Sequence, residues 1–311
     1  MMELHNIEDI NFIERPTMVT VGMFDGVHLG HRQLLRHLAQ QASALALQPI
    51  VVTFDRHPRQ VLDKNYVPRM LCTFDERLEL LSQCGVQHVV VASFDRAMAS
   101  MSACSFARDV LCNKLNMNAL LLGYDNVFGS RLYNDFAQLP DLGNELGFKV
   151  VRVQAVSLDG VEVSSTKIRH CLMDGDIEKA TAMLGSPYSI EGPVVHGRHV
   201  GTGLGFPTAN IHVADPNKLL PKQGVYALRA ICNGQLYAAM ANLGAQPTFH
   251  QNQIVFEVHL LDFNGELYGN TMQLCFLHRM RDIVNFPSPE ALIEQLGKDA
   301  AEAKLIYSKT L

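Results

Sequence analysis

The sequence contains no Cys-x-x-Cys pair, no apolar run long enough to cross a bilayer and no surplus of basic residues. Its seven cysteines are odd in number and widely scattered, so neither a structural zinc site nor a disulfide framework is expected. The formal net charge of −5 argues against a general nucleic-acid binder. Because the first residues also lack the basic and apolar regions of a signal peptide, we expect a cytoplasmic protein without membrane or nucleic-acid partners.

The remaining composition is that of an ordinary globular protein. The 311 residues are 48% hydrophobic and 18% charged, and this length favours two domains, each with its own core. The sequence shows no internal repeat and no low-complexity linker. Because the periodicity changes near Leu184–Pro187, the predicted domains are residues 1–184 and 185–311, with different architectures.

In the first half, short apolar runs alternate with helical patterns. Continuous β-branched runs separated by helices are typical of a parallel sheet covered on both faces, so we predict a Rossmann-like, doubly wound α/β domain. Asp75 is the expected cap of the second helix, and Gly85 is its expected end. The predicted strands are Met18–Met23, Pro49–Phe54, His88–Ala92, Ala119–Gly123 and Lys149–Val153, and the predicted helices are Leu34–Ala46, Asp75–Cys84, Ser105–Leu115 and Phe136–Leu146.

The second half is predicted to be a small antiparallel β-barrel closed by a C-terminal helix. The helix runs from Ser288 or Pro289 to about Tyr307, and the dipeptides Asn233-Gly and Asn264-Gly are hairpin signals. The predicted strands are Tyr188–Val195, Val225–Ile231, Leu236–Asn242, Ile254–Leu261 and Met272–Leu277.

The most informative segment is Thr20–His31, which places His-x-Gly-His between a buried strand and a helix. A tight strand-to-helix turn brings backbone N–H groups and the positive end of the helix dipole to one point. Two imidazoles there, His28 and His31, suit a polyphosphate bound at its α-phosphorus, and Gly30 allows close backbone approach. Ligands of such a sheet bind at the carboxyl ends of its strands.

Three further segments fit the same nucleotide site. His57 follows the second predicted strand, and Asp125 with Asn126 follows another. Ser164-Ser-Thr-Lys-Ile-Arg169 leads into a helix, and its hydroxyl and cationic side chains suit the charge on departing pyrophosphate. Read alone, Ser-Ser-Thr is an ordinary helix cap.

In the second half, Thr208 and Asn210 alternate along an extended segment, so their side chains point the same way. A hydroxyl and an amide oxygen are hard ligands suited to Mg²⁺ that bridges ATP phosphates. The glycines of Gly201-Thr-Gly-Leu-Gly205 superficially suggest a dinucleotide fingerprint, but Pro207 follows and no helix opens there. We interpret these glycines as a flexible flap over ATP.

The first half resembles the FAD synthetase branch of the His-x-Gly-His nucleotidyltransferases, on the run Gly-x-Phe-Asp-Gly-x-His-x-Gly-His. The resemblance implies adenylyl transfer from ATP to FMN, with His28 and His31 catalytic and with His57 and Asp125 in the site. The ATP- and phosphate-binding residues that it implies are Gly22, Phe24, Gly30, Ser164, Ser165, Thr166, Lys167 and Arg169.

The second half resembles the riboflavin kinase family. Four runs carry the resemblance in family order: Gly192-Pro-Val-Val-His-Gly197, Gly205-Phe-Pro-Thr-Ala-Asn210, Leu220-Pro-Lys-Gln-Gly-Val-Tyr226 and Glu257-Val-His-Leu-Leu-Asp262. It implies that Glu257 is the general base for phosphorylation of riboflavin. It also implies that Thr208 and Asn210 bind Mg²⁺ and that Gly205, Pro207 and Arg281 bind ATP or flavin.

Together the two resemblances imply a bifunctional riboflavin kinase and FAD synthetase of bacterial type. Its substrates and products would be riboflavin, FMN, FAD and ATP, and we expect a monomer or a weak homo-oligomer. The alternatives are a homologue with only the FAD synthetase half active and a non-catalytic flavin-binding regulator. The sequence departs from the family patterns at Arg56, Asn126, Val127, Thr202, Gln246 and Ile283.

Overall fold

A computed structural model describes residues 2–124, 139–196, 205–247 and 252–310. The chain divides into two compact units, Met1–Ser165 and Thr166–Leu311. The predicted boundary between residues 184 and 185 lies later in the chain, because two helices that precede it pack with the second unit. No helix among the described residues is long and apolar enough to cross a membrane.

The first unit is built on a parallel sheet, as predicted, and this sheet has six strands, one more than predicted. Its order is β1-β4-β3-β2-β5-β6, so the chain runs outward from β2 in one direction and then in the other. The sequence analysis missed β1, because the exposed run Glu3-Leu-His-Asn has no apolar pattern. The strands are β1 Glu3–Asn6, β2 Thr17–Val21, β3 Gln48–Phe54, β4 His88–Ala92, β5 Met117–Leu122 and β6 Lys149–Arg152.

Helices cover both faces of this sheet, and each face buries its own hydrophobic cluster. Thr73 caps the third helix in a capping box with Glu76, so the predicted cap at Asp75 is wrong. Gly85 follows that helix with φ +80°, which confirms the predicted end. The helices are α1 Leu29–Ala44, α2 Pro58–Leu62, α3 Phe74–Gln83, α4 Arg96–Ser100, α5 Ala103–Cys112 (α-helical to Ser105, then π-helical) and α6 Leu139–Leu146; a small hairpin, β7 Ser157–Leu158 and β8 Val161–Glu162, follows.

The second unit is a closed antiparallel barrel with the order β10-β13-β12-β11-β14-β9, which confirms the predicted architecture. The terminal helix begins at Pro289 and is capped by Ser288, which agrees with the predicted start at Ser288 or Pro289. The elements are α7 Ser165–Asp174, α8 Ile177–Leu184, β9 Ser189–Val195, β10 Ala209–Ile211, β11 Gly224–Cys232, β12 Gln235–Pro247, β13 Asn252–Leu260, β14 Thr271–Arg281 and α9 Pro289–Ser308.

One of the two predicted hairpins forms. Asn233 and Gly234 both have positive φ and join β11 to β12, with Cys232 paired to Gln235. The prediction of a hairpin at Asn264-Gly is wrong, because β13 pairs with β10 and β12 whereas β14 pairs with β11 and β9. Barrel closure determines these neighbours, and local turn chemistry does not.

Candidate active sites

The first candidate site lies beside β2, where the order in which the chain adds strands to the sheet changes direction. Strand β2 lies between β3 and β5, and its carboxyl end leads through a short turn into α1. Ligands of open α/β sheets bind at this switch point. Three residues of the turn, Phe24, Gly26 and Val27, have φ values of 50°, 78° and 37°. Left-handed backbone at the two non-glycine residues is costly and requires support from the surrounding structure.

A buried carboxylate supplies part of that support. Asp25 is 2% exposed, and its oxygens accept the backbone N–H groups of Leu71 at 2.9 Å and Cys72 at 3.2 Å. The Gly26 N–H donates in turn to the Cys72 sulfur at 3.0 Å. The chain before α3 therefore holds the turn in its strained shape.

A buried arginine supports the same turn from another direction. Arg77 on α3 is 2% exposed, and its guanidinium donates to the carbonyls of Met23 at 2.8 Å and Phe54 at 2.7 Å. These two carbonyls follow the end of β2 and terminate β3, so Arg77 joins the ends of adjacent strands. Sequence reasoning missed both Asp25 and Arg77 as supporting residues, because their partners are distant in the chain.

His28 and His31 lie together at the start of α1. His28 is the N-cap, and its Nδ1 accepts the His31 N–H at 3.4 Å. The two rings stack with centroids 3.7 Å apart and an 18° angle between their planes. A Cβ on Gly30 would lie 3.1 Å from the His28 ring, so glycine lets the ring lie against the backbone.

The electrostatics of His31 differ from those of an exposed histidine. Its Nδ1 is buried and has no hydrogen-bond partner among the described residues. Burial, and then the neighbouring His28, hold its pKa well below 6.5. The His31 ring is therefore neutral at neutral pH, and it can donate only through the nitrogen that carries its proton.

The other residues predicted around ATP have different positions. Phe24 is 1% exposed and lies 5.2 Å from the His31 ring, so its side chain packs beneath the turn. A Cβ on Gly22 would lie 3.2 Å from that phenyl ring. The Ser165 hydroxyl donates to the Asp25 carbonyl at 3.0 Å, which brings the end of the first unit to the turn.

The remaining predicted phosphate ligands lie at the start of α7. Ser164 directly precedes α7, whereas Thr166, Lys167 and Arg169 lie in that helix and belong to the second unit. Asp125, Asn126 and Val127 lie outside the described residues.

His57 follows β3 at the same edge of the sheet as His28. It caps the short helix α2, and its Nδ1 accepts the Arg59 N–H at 3.1 Å. Its ring lies 5.2 Å from Tyr66. Arg56 forms an ion pair with Asp55 at 2.9 Å. The Nδ1 atom of His57 is therefore engaged in the helix-capping hydrogen bond.

The second candidate site is a cavity of about 660 Å³ against the outer face of the barrel, bounded by the chain from Arg281 into α9. Phe256, Val258 and Leu260 point into the barrel, so the alternating residues Glu257 and His259 point outward into the cavity. Its other lining residues are Phe206, Thr208, Val225, Met240, Ala241, Asn242, Arg281, Ile283, Val284, Asn285, Phe286, Pro287, Ser288, Pro289, Leu292 and Leu296.

Strand register arranges polar residues at and beside this cavity in one row across the strands. Glu257 is directly opposite Asn210 on one side and Asn242 on the other. Val225 follows Asn242 in the row, and Arg281 follows Val225. Directly opposed residues share a face of the sheet, so these polar groups all lie on the outer face.

The loop before β10 is fixed against this row. The His259 ring bonds through Nδ1 to the Pro207 carbonyl at 2.7 Å, and Phe206 packs edge-on against the same ring at 5.4 Å. Thr208, the residue after Pro207, lines the same cavity as Glu257. Sequence reasoning missed His259, although it lies two residues after Glu257 and the strand period places both on one face.

A buried ion pair fixes the arginine of the cavity. Asp299 on α9 is 1% exposed and accepts from both Nε and Nη2 of Arg281, the shortest distance being 2.6 Å. Gln295 donates to the same carboxylate at 2.9 Å, and the Arg281 guanidinium lies over the Phe286 ring at 5.7 Å. The helix thus orients Arg281 in the wall of the cavity.

Comparison with known proteins assigns both halves of the chain. The FAD synthetase family matches residues 11–167, and the riboflavin kinase family matches residues 184–307. Over 309 residues the chain is 36% identical to the bifunctional riboflavin kinase/FMN adenylyltransferase of Haemophilus influenzae, covering 99% of this chain and 100% of that protein. The chain belongs to this bifunctional family.

A second family member supports that assignment, and a solved structure shares the fold of nearly the whole chain. The bifunctional riboflavin kinase/FMN adenylyltransferase of Escherichia coli K12 is 34% identical over 308 residues, which cover 99% of this chain and 97% of that protein. A crystal structure described as a macrolide-efflux protein from Streptococcus pneumoniae superimposes with a TM-score of 0.88 at 32% identity, covering 97% of this chain and 98% of that one. The resemblance found in the sequence is confirmed.

Ile283, one of the positions at which the sequence departs from the riboflavin kinase pattern, lies at this cavity. Its side chain lines the cavity, and its Cδ1 occupies the space that a Cβ on Gly244 would need. The adjacent Asp282 pairs with Arg279 and is absent from the cavity lining. An apolar side chain therefore forms this part of the cavity wall.

The glycine-rich segment Gly201–Gly205, interpreted above as a flap, is described only at Gly205. Gly205 is exposed with φ +82° and precedes the loop that carries Pro207. Thr202 and the side chain of Gln246 fall outside the described part of the chain.

The predicted metal ligands fit a hard cation by their chemistry. Thr208 and Asn210 are half-buried, and the extended backbone directs both side chains outward, with Glu257 opposite Asn210. A hydroxyl, an amide oxygen and a nearby carboxylate form a donor set suited to Mg²⁺.

Proposed function

We propose that the two halves catalyse consecutive steps of flavin cofactor synthesis, phosphorylation of riboflavin to FMN in the second half and adenylylation of FMN to FAD in the first. The observation that supports this most directly is that one chain carries both the His28–His31 turn and the Thr208–Glu257–Arg281 cavity. The FAD synthetase family matches the part of the chain that contains the turn, and the riboflavin kinase family matches the part that contains the cavity.

In the first reaction site, an FMN phosphate oxygen attacks the α-phosphorus of ATP, the bond to the β-phosphate oxygen breaks, and pyrophosphate leaves. No protein nucleophile is needed, so the residues act by positioning and by charge stabilisation. His28 and His31 donate to the α-phosphate oxygens, and the N–H groups that begin α1 add the helix dipole. A phosphate placed there also favours protonation of His31, because its negative charge opposes the effect of burial.

Residues around that turn have supporting roles in the proposal. Gly22, Phe24 and Gly30 shape the turn so that phosphate can approach the backbone. The hydroxyl and cationic residues Ser164, Ser165, Thr166, Lys167 and Arg169 bind ATP phosphates, and His57 and Asp125 complete the site.

In the second site, Glu257 accepts the proton of the ribityl 5′-hydroxyl as that oxygen attacks the γ-phosphorus of ATP, and ADP leaves. The half-buried position of Glu257 in the cavity wall supports this role. Arg281, held by Asp299, lines the same cavity and orients ATP or flavin together with Gly205 and Pro207.

Thr208 and Asn210 would hold Mg²⁺ with the ATP phosphates in this second site. When bound, the ion neutralises phosphate charge during transfer. Asn210 is the direct cross-strand neighbour of Glu257, so the residues proposed for metal binding and for proton transfer share one face of β10 and β13.

The functional domains that we propose are residues 1–184 and 185–311, in a cytoplasmic monomer or weak homo-oligomer. The first family match ends at residue 167, whereas the second begins at 184, which supports this division of the activities. All seven cysteines are free, in keeping with a reducing compartment.

Chromatographic separation of flavins tests the whole proposal. Purified protein is incubated with riboflavin, ATP and Mg²⁺, and riboflavin, FMN and FAD are then quantified. We expect FMN and FAD together. If FAD forms from added FMN but no FMN forms from riboflavin, only the first half is active, and the substitution at Ile283 is the first candidate cause. If neither product forms, both catalytic assignments are wrong.

A further inference from the structure

A cluster of three potential metal ligands lies on the first unit, outside the sites described above. Glu3 and His5 are two residues apart on β1, so their side chains share a face of the strand. Glu3 pairs in register with His88, the first residue of the parallel neighbour β4. The backbone of two strands therefore brings one carboxylate and two imidazoles to one face of the sheet.

The distances within this cluster are those expected around a small cation. Glu3 Oε2 lies 3.2 Å from His88 Nδ1 and 3.5 Å from His5 Nε2. One ligand atom from each of the three residues lies within 4.8 Å of the others. In a tetrahedral zinc site with bonds of about 2.0–2.1 Å, neighbouring ligand atoms lie about 3.3–3.4 Å apart. A single ion can therefore bind all three atoms after small side-chain adjustments.

We propose that Glu3, His5 and His88 form a binding site for a divalent transition-metal ion, with Zn²⁺ as the best-suited ion. Two imidazole nitrogens and one carboxylate oxygen favour zinc-like ions over Mg²⁺, which prefers oxygen ligands alone. Three protein ligands leave the fourth tetrahedral position for water. The exposure of Glu3 and His5, 62% and 44% of their side chains, gives the ion access from solvent.

The position of the cluster indicates a structural effect. His88 and Glu3 begin their strands, so the cluster lies at the amino edge of the parallel sheet, whereas His28 follows the carboxyl end of β2. All four residues of β1 are exposed, and within the described part of the chain this strand pairs with β4 alone. A shared ion would therefore cross-link an edge strand that has little burial of its own, without contact with the reacting phosphates.

Titration of the EDTA-treated full-length protein with ZnCl₂ and CoCl₂ tests the proposal. Calorimetry should show one zinc site that is lost or weakened by at least about 10–100-fold in Glu3→Gln, His5→Gln and His88→Gln. His37→Gln, which removes a histidine from α1, should bind zinc as the unchanged protein does. Zinc should also raise the Tm of the unchanged protein but not that of His5→Gln.

The cobalt spectrum distinguishes this site from adventitious binding to the seven free cysteines. Visible bands without thiolate charge transfer are expected, and they should disappear in the three variants. Conversion of FMN to FAD in Mg²⁺ alone should stay unchanged in each variant, which verifies folding. If His88→Gln fails to fold, the His5→Gln variant tests the proposal, because His5 is more exposed. Zinc binding by His5→Gln equal to that of the unchanged protein would show that the cluster is only an ion pair.

Discussion

The imidazole rings of His28 and His31 stack 3.7 Å apart at the N-terminus of α1, directly after the central strand of the sheet. The buried Asp25 lies in the turn that leads to them and is fixed by backbone groups of Leu71 and Cys72. These bonds therefore support the turn that leads to both imidazole rings.

His28→Ala and His31→Ala should each lower the rate of FAD formation from FMN by roughly 10²–10³-fold, the usual effect of losing a donor to transition-state charge. Riboflavin phosphorylation should stay near normal, because both residues belong to the first unit. Separate assays of the two steps measure this. His37→Ala on the same helix serves as the control. Equal loss of both activities in a folded variant would contradict two separate sites.

The lowered pKa of His31 predicts a pH-dependent stability. The unfolded chain binds a proton at His31 near pH 6.5, whereas burial keeps the folded form neutral to lower pH. The unfolded state therefore binds more protons as the pH falls below about 6.5, and the free energy of unfolding decreases. Above that pH the contribution of His31 is fully present.

Urea denaturation of the first unit at about pH 7.5 and pH 5.5 measures this effect. His31→Gln should lose less stability between the two pH values than the unchanged protein loses. His37→Gln should follow the unchanged protein. Identical pH slopes for His31→Gln and the unchanged protein would show that His31 titrates alike in both states.

Glu257→Gln tests the proposed general base. The amide keeps the shape of the side chain in the cavity but cannot accept the proton, so kinase kcat should fall by about 10²–10⁴-fold with little change in KM. Conversion of supplied FMN to FAD should be unaffected. Glu191→Gln is the matched control, because Glu191 is exposed on the barrel strand β9. Near-normal phosphorylation by Glu257→Gln would remove this residue from the mechanism.

Asp299→Ala should destabilise the second unit and disturb substrate binding by Arg281. The carboxylate is 1% exposed while the Arg281 side chain is 22% exposed, so water can partly solvate the remaining cation. We therefore expect a loss of about 3 kcal/mol in unfolding free energy, at the low end for a broken buried pair.

The same variant should raise the kinase KM for riboflavin or ATP, because Arg281 loses the contact that orients it. Chemical denaturation and initial rates measure the two effects. Glu294→Gln breaks an exposed ion pair with Lys298 on the same helix and should change stability by no more than about 0.5 kcal/mol. Matching effects from Asp299→Ala and Glu294→Gln would show that the buried pair has no special role.

Fragments of the chain test how much of it the kinase needs. The Lys222 N–H donates to the Leu172 carbonyl at 2.9 Å, and Glu178 pairs with His278, so α7 and α8 are bonded to the barrel. We expect fragment 166–311 to fold cooperatively and to phosphorylate riboflavin. Fragment 186–311 should have a lower Tm, because it loses the buried face of α8. Thermal melting by circular dichroism compares them, and equal Tm values would show that the two helices add no stability.

The sequence by itself predicted the parallel sheet, the barrel and most of their longer helices and strands, but not the edge strand β1. Strand His88–Ala92 and the helix capped by Ser288 agree with their predictions, because each is encoded by local periodicity and a local cap. The order of strand, glycine-containing turn and helix around His28 and His31 could also be predicted, because all its sequence signals lie within one short segment.

Tertiary structure alone decided which distant residues support those sites. Asp25 accepts a hydrogen bond from backbone 46 residues later in the chain, and Arg281 donates to a carboxylate 18 residues later. The periodicity of the sequence does not predict such pairings. Barrel closure overrode the hairpin signal at Asn264-Gly, because each strand takes the neighbours that satisfy the whole ladder. The same reason applies to Glu3 and His88, which meet only because β1 pairs with β4, and parallel pairing joins segments that are remote in sequence.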